Sequence, residues 1–374
     1  MINLDNASTT KPLNEVINAI AIALQEDYLN MGAKYKQAKL IEKKVNLIRQ
    51  NILNILGANQ GDLIFTPSAT CANNLVFNSL NPKSCKKILV SAGEHASVYE
   101  CAKQMQTKNV MVDYIALQED GRINFEDFKK KMTPDVALVA VLHVSNETGT
   151  INDISEISSF AKQINPNCLI FSDGVQAFGK IDVNIENLGV DFYTISAHKI
   201  HGPKGIGALY AKDINKLKTL IYGGGQEYNL ISGTENTAYI NGFYTAIKLK
   251  IAKLKDDYNK VKCDKQNLIS ALINQNIEFE INGNVEYSSP YILNISIKGI
   301  RGEVLLHALA EKDILIATGS ACSSKKRGNR TLENMGKKAQ EIDSAIRISF
   351  SAHEEYDMNF IAQQFKEIID TIYA

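Results

Sequence analysis

Lys199 stands in Ser196-Ala-His-Lys199, just after the apolar run Asp191-Phe-Tyr-Thr-Ile195, and Asp173 follows a second run, Cys168-Leu-Ile-Phe-Ser172. If both runs are neighbouring parallel strands, their ends project an amine and an acid into one crevice, where open α/β sheets bind ligands. That pair suits pyridoxal phosphate. The amine bonds to the cofactor's aldehyde carbon, and the carboxylate keeps the pyridine nitrogen protonated so that the ring accepts electrons. Either residue alone reads as well as a surface lysine or a strand-ending aspartate; together they favour the cofactor. A third reactive group, Cys322, lies in the small, polar stretch Ala317-Thr-Gly-Ser-Ala-Cys-Ser-Ser324. A thiol on such a loop is a liability unless its reactivity is used. Cys71, Cys85, Cys101, Cys168 and Cys263 form no C-x-x-C pair or zinc spacing and read as reduced, packed residues.

The elements that must position these groups are legible as alternation. Between about residues 60 and 212, the apolar runs Asp62–Phe65, Lys87–Val90, Val110–Val112 and Val136–Leu142 join the two above and Gly207–Tyr210 as strands. Cys71–Leu80, Ala96–Gln106, Phe125–Met132 and Asp153–Ile164 read as helices between them, the last with Asp153 as N-cap. Strand–helix alternation predicts an α/β fold with a mostly parallel sheet covered on both faces. A long helical pattern spans Thr234–Tyr258. After it, strands are expected at Ile277–Ile281, Tyr291–Ile297, Leu315–Thr318 and Ala345–Phe350, with helices at Gly302–Glu311 and Glu354–Tyr373. This is an α+β segment. The expected division is a large domain of residues 13–250 and a smaller one of residues 1–12 and 251–374.

The chain has 374 residues, 45% hydrophobic and 22% charged, a globular balance with room for two or three domains. Its formal net charge is zero, so no overall field draws it to nucleic acid or an anionic membrane. No apolar stretch reaches bilayer length, and Met1-Ile-Asn-Leu-Asp5 lacks a signal-peptide pattern; a cytoplasmic protein is expected.

The chain resembles the cysteine desulfurases, a branch of the class V aminotransferase-like enzymes. The resemblance runs end to end through Leu4-Asp-Asn-Ala-Ser-Thr-Thr10, Phe65-Thr-Pro-Ser-Ala-Thr70, Glu94-His95, Asn146-Glu-Thr-Gly-Thr150, Ser172-Asp-Gly-Val-Gln-Ala177, Ser196-Ala-His-Lys199, Gly223-Gly-Gly-Gln-Glu227, Ser232-Gly-Thr-Glu-Asn236, Gly319-Ser-Ala-Cys322 and Arg347-Ile-Ser349. Short motifs are weak singly and strong in ordered series. The resemblance implies the aspartate aminotransferase fold (type I), with a seven-stranded sheet in the large domain. It implies conversion of L-cysteine to L-alanine, with a persulfide formed on Cys322 and passed to a protein acceptor for iron–sulfur cluster assembly or tRNA thiolation. The long polar loop around Cys322 resembles the long-loop group.

The resemblance also assigns residues. Lys199 holds pyridoxal phosphate and Asp173 its ring nitrogen; His95 stacks on the ring and moves protons. Thr70, Ser196 and His198 serve the phosphate, which suits hydroxyls at a helix start, although Thr70 could be a simple cap. Asn146 and Gln176 match residues at the phenolic oxygen, or are turn residues. Arg347 matches the arginine that holds the substrate carboxylate, a task for a bidentate fork, with Asn30 assisting. Thr234 matches a threonine that reaches the neighbouring subunit's cofactor, which implies a homodimer.

Two positions depart from the pattern. Ile231 stands where the family has an arginine before Ser-Gly-Thr, and Cys71 where it has a glutamate; the first could weaken phosphate binding, and the second reads as a packed helix-start residue. Three rival readings remain: a selenocysteine lyase, a small-amino-acid aminotransferase, or a weakly active sulfur-relay scaffold.

Overall fold

The computed structural model describes residues 1–319 and 329–373. Its largest sheet has seven strands: β2 (Asp62–Thr66), β3 (Lys87–Ser91), β4 (Met111–Ile115), β5 (Val136–Ala140), β6 (Leu169–Asp173), β7 (Phe192–Ser196) and β8 (Gly207–Ala211). Their spatial order is β2-β8-β7-β6-β5-β3-β4. β8 runs antiparallel to both its neighbours, and the other pairings in this sheet are parallel. Period-2 alternation explains the layers. Leu63 and Leu89 enter one apolar cluster, with Val45, Phe128 and Phe243, whereas Ile64, Ile88 and Val90 enter another, with Leu75 and Val98. Successive side chains thus feed opposite faces, and each face is covered by helices.

Two helices that the sequence reading had not placed, α1 (Asn14–Glu26) and α2 (Lys36–Ile55), complete the first cluster. Their polarity pattern is blurred because Ile17, Leu24, Leu40 and Leu47 face outward. The expected helices α3 (Ala69–Ser79) and α4 (Ala96–Thr107) are capped by Ser68, which accepts from Cys71 N–H, and by His95, which accepts from Ser97 N–H. Asp153 caps the helix Ile154–Ile164 by accepting from Glu156 N–H.

A second core gathers Leu4, Ala7, Val261, Leu293, Ile348 and Phe365 around β9 (Phe279–Ile281), β10 (Ile292–Ile297) and β12 (Ala345–Ser349), an antiparallel sheet ordered β12-β10-β9. The N-terminal β1 (Ile2–Asn3) joins this part by pairing with β11 (Ile314–Leu315). The helical stretch expected over Thr234–Tyr258 is two helices, Thr237–Ala252 and Leu254–Asn274, broken at Lys253. Buried Lys250 and Asp257 form an ion pair across the break. β11 is shorter than the strand expected at Leu315–Thr318, although Ala317 still bridges to Arg347.

Candidate active site

Asp173 is the last residue of β6, and Lys199 closes the short 3-10 turn Ala197–Lys199 after β7. Asp173 pairs with Thr194 of β7, so the two strands run side by side in the same direction. Both side chains line one cavity of about 240 Å³. Thr70, in the first turn of α3, His95, at the cap of α4, and Leu142 and Val144, beyond β5, reach it from the carboxyl ends of their strands. This is where an open α/β sheet places a ligand. Arg347 comes from the other direction, on β12 of the small sheet.

An N-terminal strap closes the arrangement. Lys199 Nζ donates to the carbonyls of Ala7 at 2.6 Å and Ser8 at 2.7 Å. Thr10 N–H and Oγ1 both donate to His198 O, at 2.9 and 3.0 Å, and His201 N–H donates to Thr10 Oγ1 at 2.7 Å. The strap is thereby stitched to the turn that carries the lysine. Asp173 Oδ1 accepts from Val175 N–H and Oδ2 from Asn73 Nδ2, each at 3.0 Å. Gly174, next in line, must be glycine: a Cβ there would fall 2.0 Å from Tyr193 Cζ.

Arg347 is 2% exposed. Its Nη1 donates to Asn146 O at 2.9 Å, and its Nη2 donates to Asp5 Oδ1 at 3.0 Å and Ser8 Oγ at 2.7 Å; Nε has no partner among the described residues. A buried guanidinium that lines a cavity with an unsatisfied nitrogen is poised for an anion. Asn146 lines the cavity and also belongs to the turn read from the sequence: its Nδ2 donates to Glu147 Oε1 at 3.0 Å. Gln176 is fixed from behind. Lys180 Nζ donates to its Oε1 at 2.6 Å, and its Nε2 donates to Ala7 O at 2.9 Å. Burial, with the charges of Lys199, Lys250 and Arg347, pushes Lys180 well below the usual lysine range.

Burial disfavours the charged form of the two histidines that line the cavity. Burial keeps His95 below its ordinary value, with Asp173 pulling the other way. Burial and the nearby Lys199 bring His198 down to about 4. Glu94, fully buried, is pushed up to about 8 by desolvation and by Asp173; its Oε1 accepts from Leu142 N–H at 2.5 Å. His198 and Ser68 also line an adjoining recess of about 370 Å³ together with Ser196, Thr9 and Lys204. Hydroxyls, a cation and the start of α3 are what a phosphate asks for.

The structure therefore brings together Lys199, Asp173, His95, Thr70, Asn146, Gln176, His198 and Arg347, with Ser196 in the adjoining recess. It does not bring Asn30 to the cavity. That residue is exposed, and its Oδ1 accepts from Gly32 N–H at 2.8 Å in a local turn. Thr234 is likewise exposed and lines neither space. Ile231 is buried among Ile64, Leu217 and Leu230, so the departure from the family pattern falls in an apolar cluster away from the cavity lining. Cys71 packs against the same cluster, and burial raises its thiol above the ordinary value; burial likewise pushes Cys85 and Cys101 up to about 11 and Cys168 to about 12.

Cys322 lies outside the described residues. The residues that flank its segment are described, and they meet: a Cβ on Gly319 would fall 3.2 Å from Asn329 Nδ2, which itself donates to Glu147 Oε2 at 2.9 Å. Glu147 Oε1 stands 3.8 Å from Arg347 Nη1.

Sequence reasoning missed Asp5, Ser8, Asn73, Glu94, Glu147 and Lys180. Asp5, Ser8, Glu94 and Glu147 lie inside motifs already singled out but were given no role there; for Asn73 the signal was a polar residue on the apolar face formed by Ala72, Leu75 and Val76, and it is completely buried.

The sequence pattern of the family described as "Aminotransferase class-V" matches residues 2–357. A protein named "Cysteine desulfurase IscS" from Clostridium botulinum is 31% identical over 98% of this chain and 94% of its own length. One of the same name from Buchnera aphidicola is 33% identical over 95% of this chain and 90% of its own. Among solved structures, a "NIFS-LIKE PROTEIN" superposes with a TM-score of 0.93 at 28% identity, covering 99% of each chain. "SspA in complex with cysteine" superposes with a TM-score of 0.82 at 25% identity, covering 95% of this chain and all of the other. Enzymes of this kind depend on pyridoxal phosphate, and the amine, carboxylate, hydroxyls and cation gathered here fit that cofactor. With a full-length match in sequence pattern and the same fold, the chain belongs to the class V aminotransferase family.

Proposed function

We propose that this chain is a pyridoxal-phosphate-dependent cysteine desulfurase, which takes L-cysteine to L-alanine and collects the sulfur as a persulfide on Cys322. One observation carries the reading: Lys199, Asp173 and Arg347 share a cavity, and both ends of the segment that holds Cys322 meet beside Arg347. The names of the full-length relatives support it.

When bound, the cofactor supplies an electron sink for the substrate's Cα. Lys199 and Asp173 would hold it, with Thr70, Ser196 and His198 at the phosphate and Asn146 and Gln176 at the phenolic oxygen. The chain's own residues divide the remaining work. Arg347 exchanges its contacts with Asp5 and Ser8 for the substrate carboxylate. Lys199, whose Nζ lies against the carbonyls of the strap, would take the Cα proton. Cys322, as thiolate, attacks the substrate's sulfur; the C–S bond breaks with its electron pair left on the three-carbon fragment, which takes a proton and departs as alanine. Asn30 has no part in this scheme.

For this function we divide the chain into a cofactor-binding unit of residues 13–250 and a second unit of residues 1–12 and 251–374. Thr234, outside its own chain's cavity, is assigned to the cofactor of a second subunit. Ile17, Leu24, Leu40 and Leu47 on α1 and α2, and Tyr222 at 85%, are exposed apolar side chains of a kind that a second copy would cover. Sedimentation at the 41.3 kDa monomer mass would refute this homodimer. The assigned partner is a protein sulfur acceptor in the cytoplasm, either a cluster scaffold or a tRNA-thiolation enzyme. No helix among the described residues is long and apolar enough to cross a membrane.

Peptide mass spectrometry after incubation with L-cysteine tests the reaction. Cys322 should gain one sulfur atom, with stoichiometric alanine. Cys322→Ala should retain the cofactor yet form no persulfide. Alanine release undiminished in that variant would refute Cys322 as the sulfur acceptor, and formation of the thiol-bearing 2-oxo acid in place of alanine would replace this reading with an aminotransferase-like one.

A further inference from the structure

Where the proton of His95 sits is decided by two residues given no role so far in handling it, Asn73 and Ser97. Asn73 Nδ2 gives one hydrogen to Asp173 Oδ2 at 3.0 Å and the other to Ser97 Oγ at 2.8 Å. Chemistry fixes this orientation of the amide. Turned over, Asn73 would set its own carbonyl oxygen against a carboxylate oxygen, two acceptors with no proton between them. Ser97 Oγ accepts from Asn73 and still has its own proton to give, and His95 Nδ1 lies 2.8 Å away. The same Nδ1 accepts from Ser97 N–H at 3.2 Å, as the cap of α4. A ring nitrogen that accepts two hydrogen bonds carries no hydrogen. Nδ1 is turned back to the first turn of the helix, and the ring lines the cavity, so Nε2 is the nitrogen offered to a ligand.

We propose that Asn73 and Ser97 are positioning residues that carry the acceptor character of Asp173 to His95 and hold it as the tautomer protonated at Nε2. His95 is then a hydrogen-bond donor to negative charge that develops in the cavity, and Nε2 cannot serve as a base. The direction is set by the Ser97 backbone N–H, which can only donate to Nδ1; the carboxylate orients the Asn73 amide, and the Ser97 hydroxyl between them gives its proton to the ring nitrogen that carries none. Charged groups that act on the ring are Asp173, Lys199, Glu147 and Arg330, and burial favours its neutral form over the imidazolium. The inference rests on the proposed desulfurase reading only for what the donor faces.

The test is nitrogen-15 NMR of holoenzyme labelled at its six histidines, with the His95 signals identified by their loss in His95→Gln. Long-range proton–nitrogen correlations distinguish the two tautomers. Wild-type His95 should show Nε2–H between about pH 6.5 and 8.5; Nδ1–H or an imidazolium there would overturn the proposal. Hydrogen bonds donated to the neutral ring disfavour its protonation, so Ser97→Ala should raise the His95 protonation constant about tenfold and Ser97→Thr should restore it. An unchanged constant in Ser97→Ala refutes the relay. Alanine release by the same preparation separates the two readings. Enzyme that makes alanine but shows Nδ1–H overturns the tautomer alone, whereas Nε2–H without alanine overturns the desulfurase reading and leaves the tautomer standing.

Discussion

Replacing Arg347 with lysine tests the geometry of substrate binding most directly. The guanidinium is 2% exposed, its Nη1 and Nη2 reach in different directions, and its Nε has no partner among the described residues. A fork of that shape can give a carboxylate two parallel hydrogen bonds; a lysine keeps the charge but makes a single point contact. The variant therefore loses about one charge-assisted hydrogen bond, worth roughly 1.5–3 kcal/mol, or about 10- to 150-fold in kcat/KM. The loss should fall on L-cysteine and not on L-cysteine methyl ester, which keeps the amine and sulfur but presents no anion. Sulfide released in the presence of a thiol reductant gives kcat/KM for both compounds. The wild type should prefer the free acid, and Arg347→Lys should shrink that preference by the same 10- to 150-fold range. Equal losses on both compounds would show that the residue acts through folding or cofactor placement, and the carboxylate assignment would fall.

Two further outcomes follow from buried groups beside the cavity. Gly174→Ala sets a methyl 2.0 Å from the Tyr193 ring carbon, between two β-strand ends that cannot easily part; overpacking of this kind costs typically ~1–3 kcal/mol, read as a lower thermal midpoint and weaker retention of the cofactor. A variant as stable as wild type would mean that Tyr193 moves freely. Glu94 is protonated in the folded chain up to about pH 8, against an ordinary value of 4.5, because burial disfavours its charge. The folded form therefore holds a proton that the unfolded chain has released, and stability contributed by this group falls as pH rises through that window, with a ceiling of roughly 5 kcal/mol at about 1.4 kcal/mol per pH unit. Glu94→Gln should match wild type near pH 5 and exceed it near pH 9 in chemical denaturation; parallel curves at the two pH values would refute the assignment.

The two kinds of legibility have different causes. Buried parallel strands announce themselves because both faces must be apolar, so β3, β5, β6 and β7 were read nearly in place, and the residues following them were read as the site. α1 and α2 escaped because Ile17, Leu24, Leu40 and Leu47 face outward and blur the periodicity on which such a reading depends. Ile231 and Cys71 show the reverse case: each departs from a family motif, yet each packs in an apolar cluster where its own chemistry is satisfied. Asn30 matched by position alone, and its side chain is taken up by a turn.

From the sequence alone came the alternation that builds the sheet, the strand ends that carry Asp173 and Lys199, and the ordered motifs that imply the family. The strap of Ala7 and Ser8 on Lys199, the approach of Arg347 from the small sheet, Lys180 behind Gln176, and the path from Asp173 through Asn73 and Ser97 to His95 were settled only by tertiary structure. The physical reason is separation along the chain. Periodicity reports which way a residue faces within its own element, whereas a hydrogen bond between residues 192 or 339 positions apart exists only once packing has brought distant segments within 3 Å.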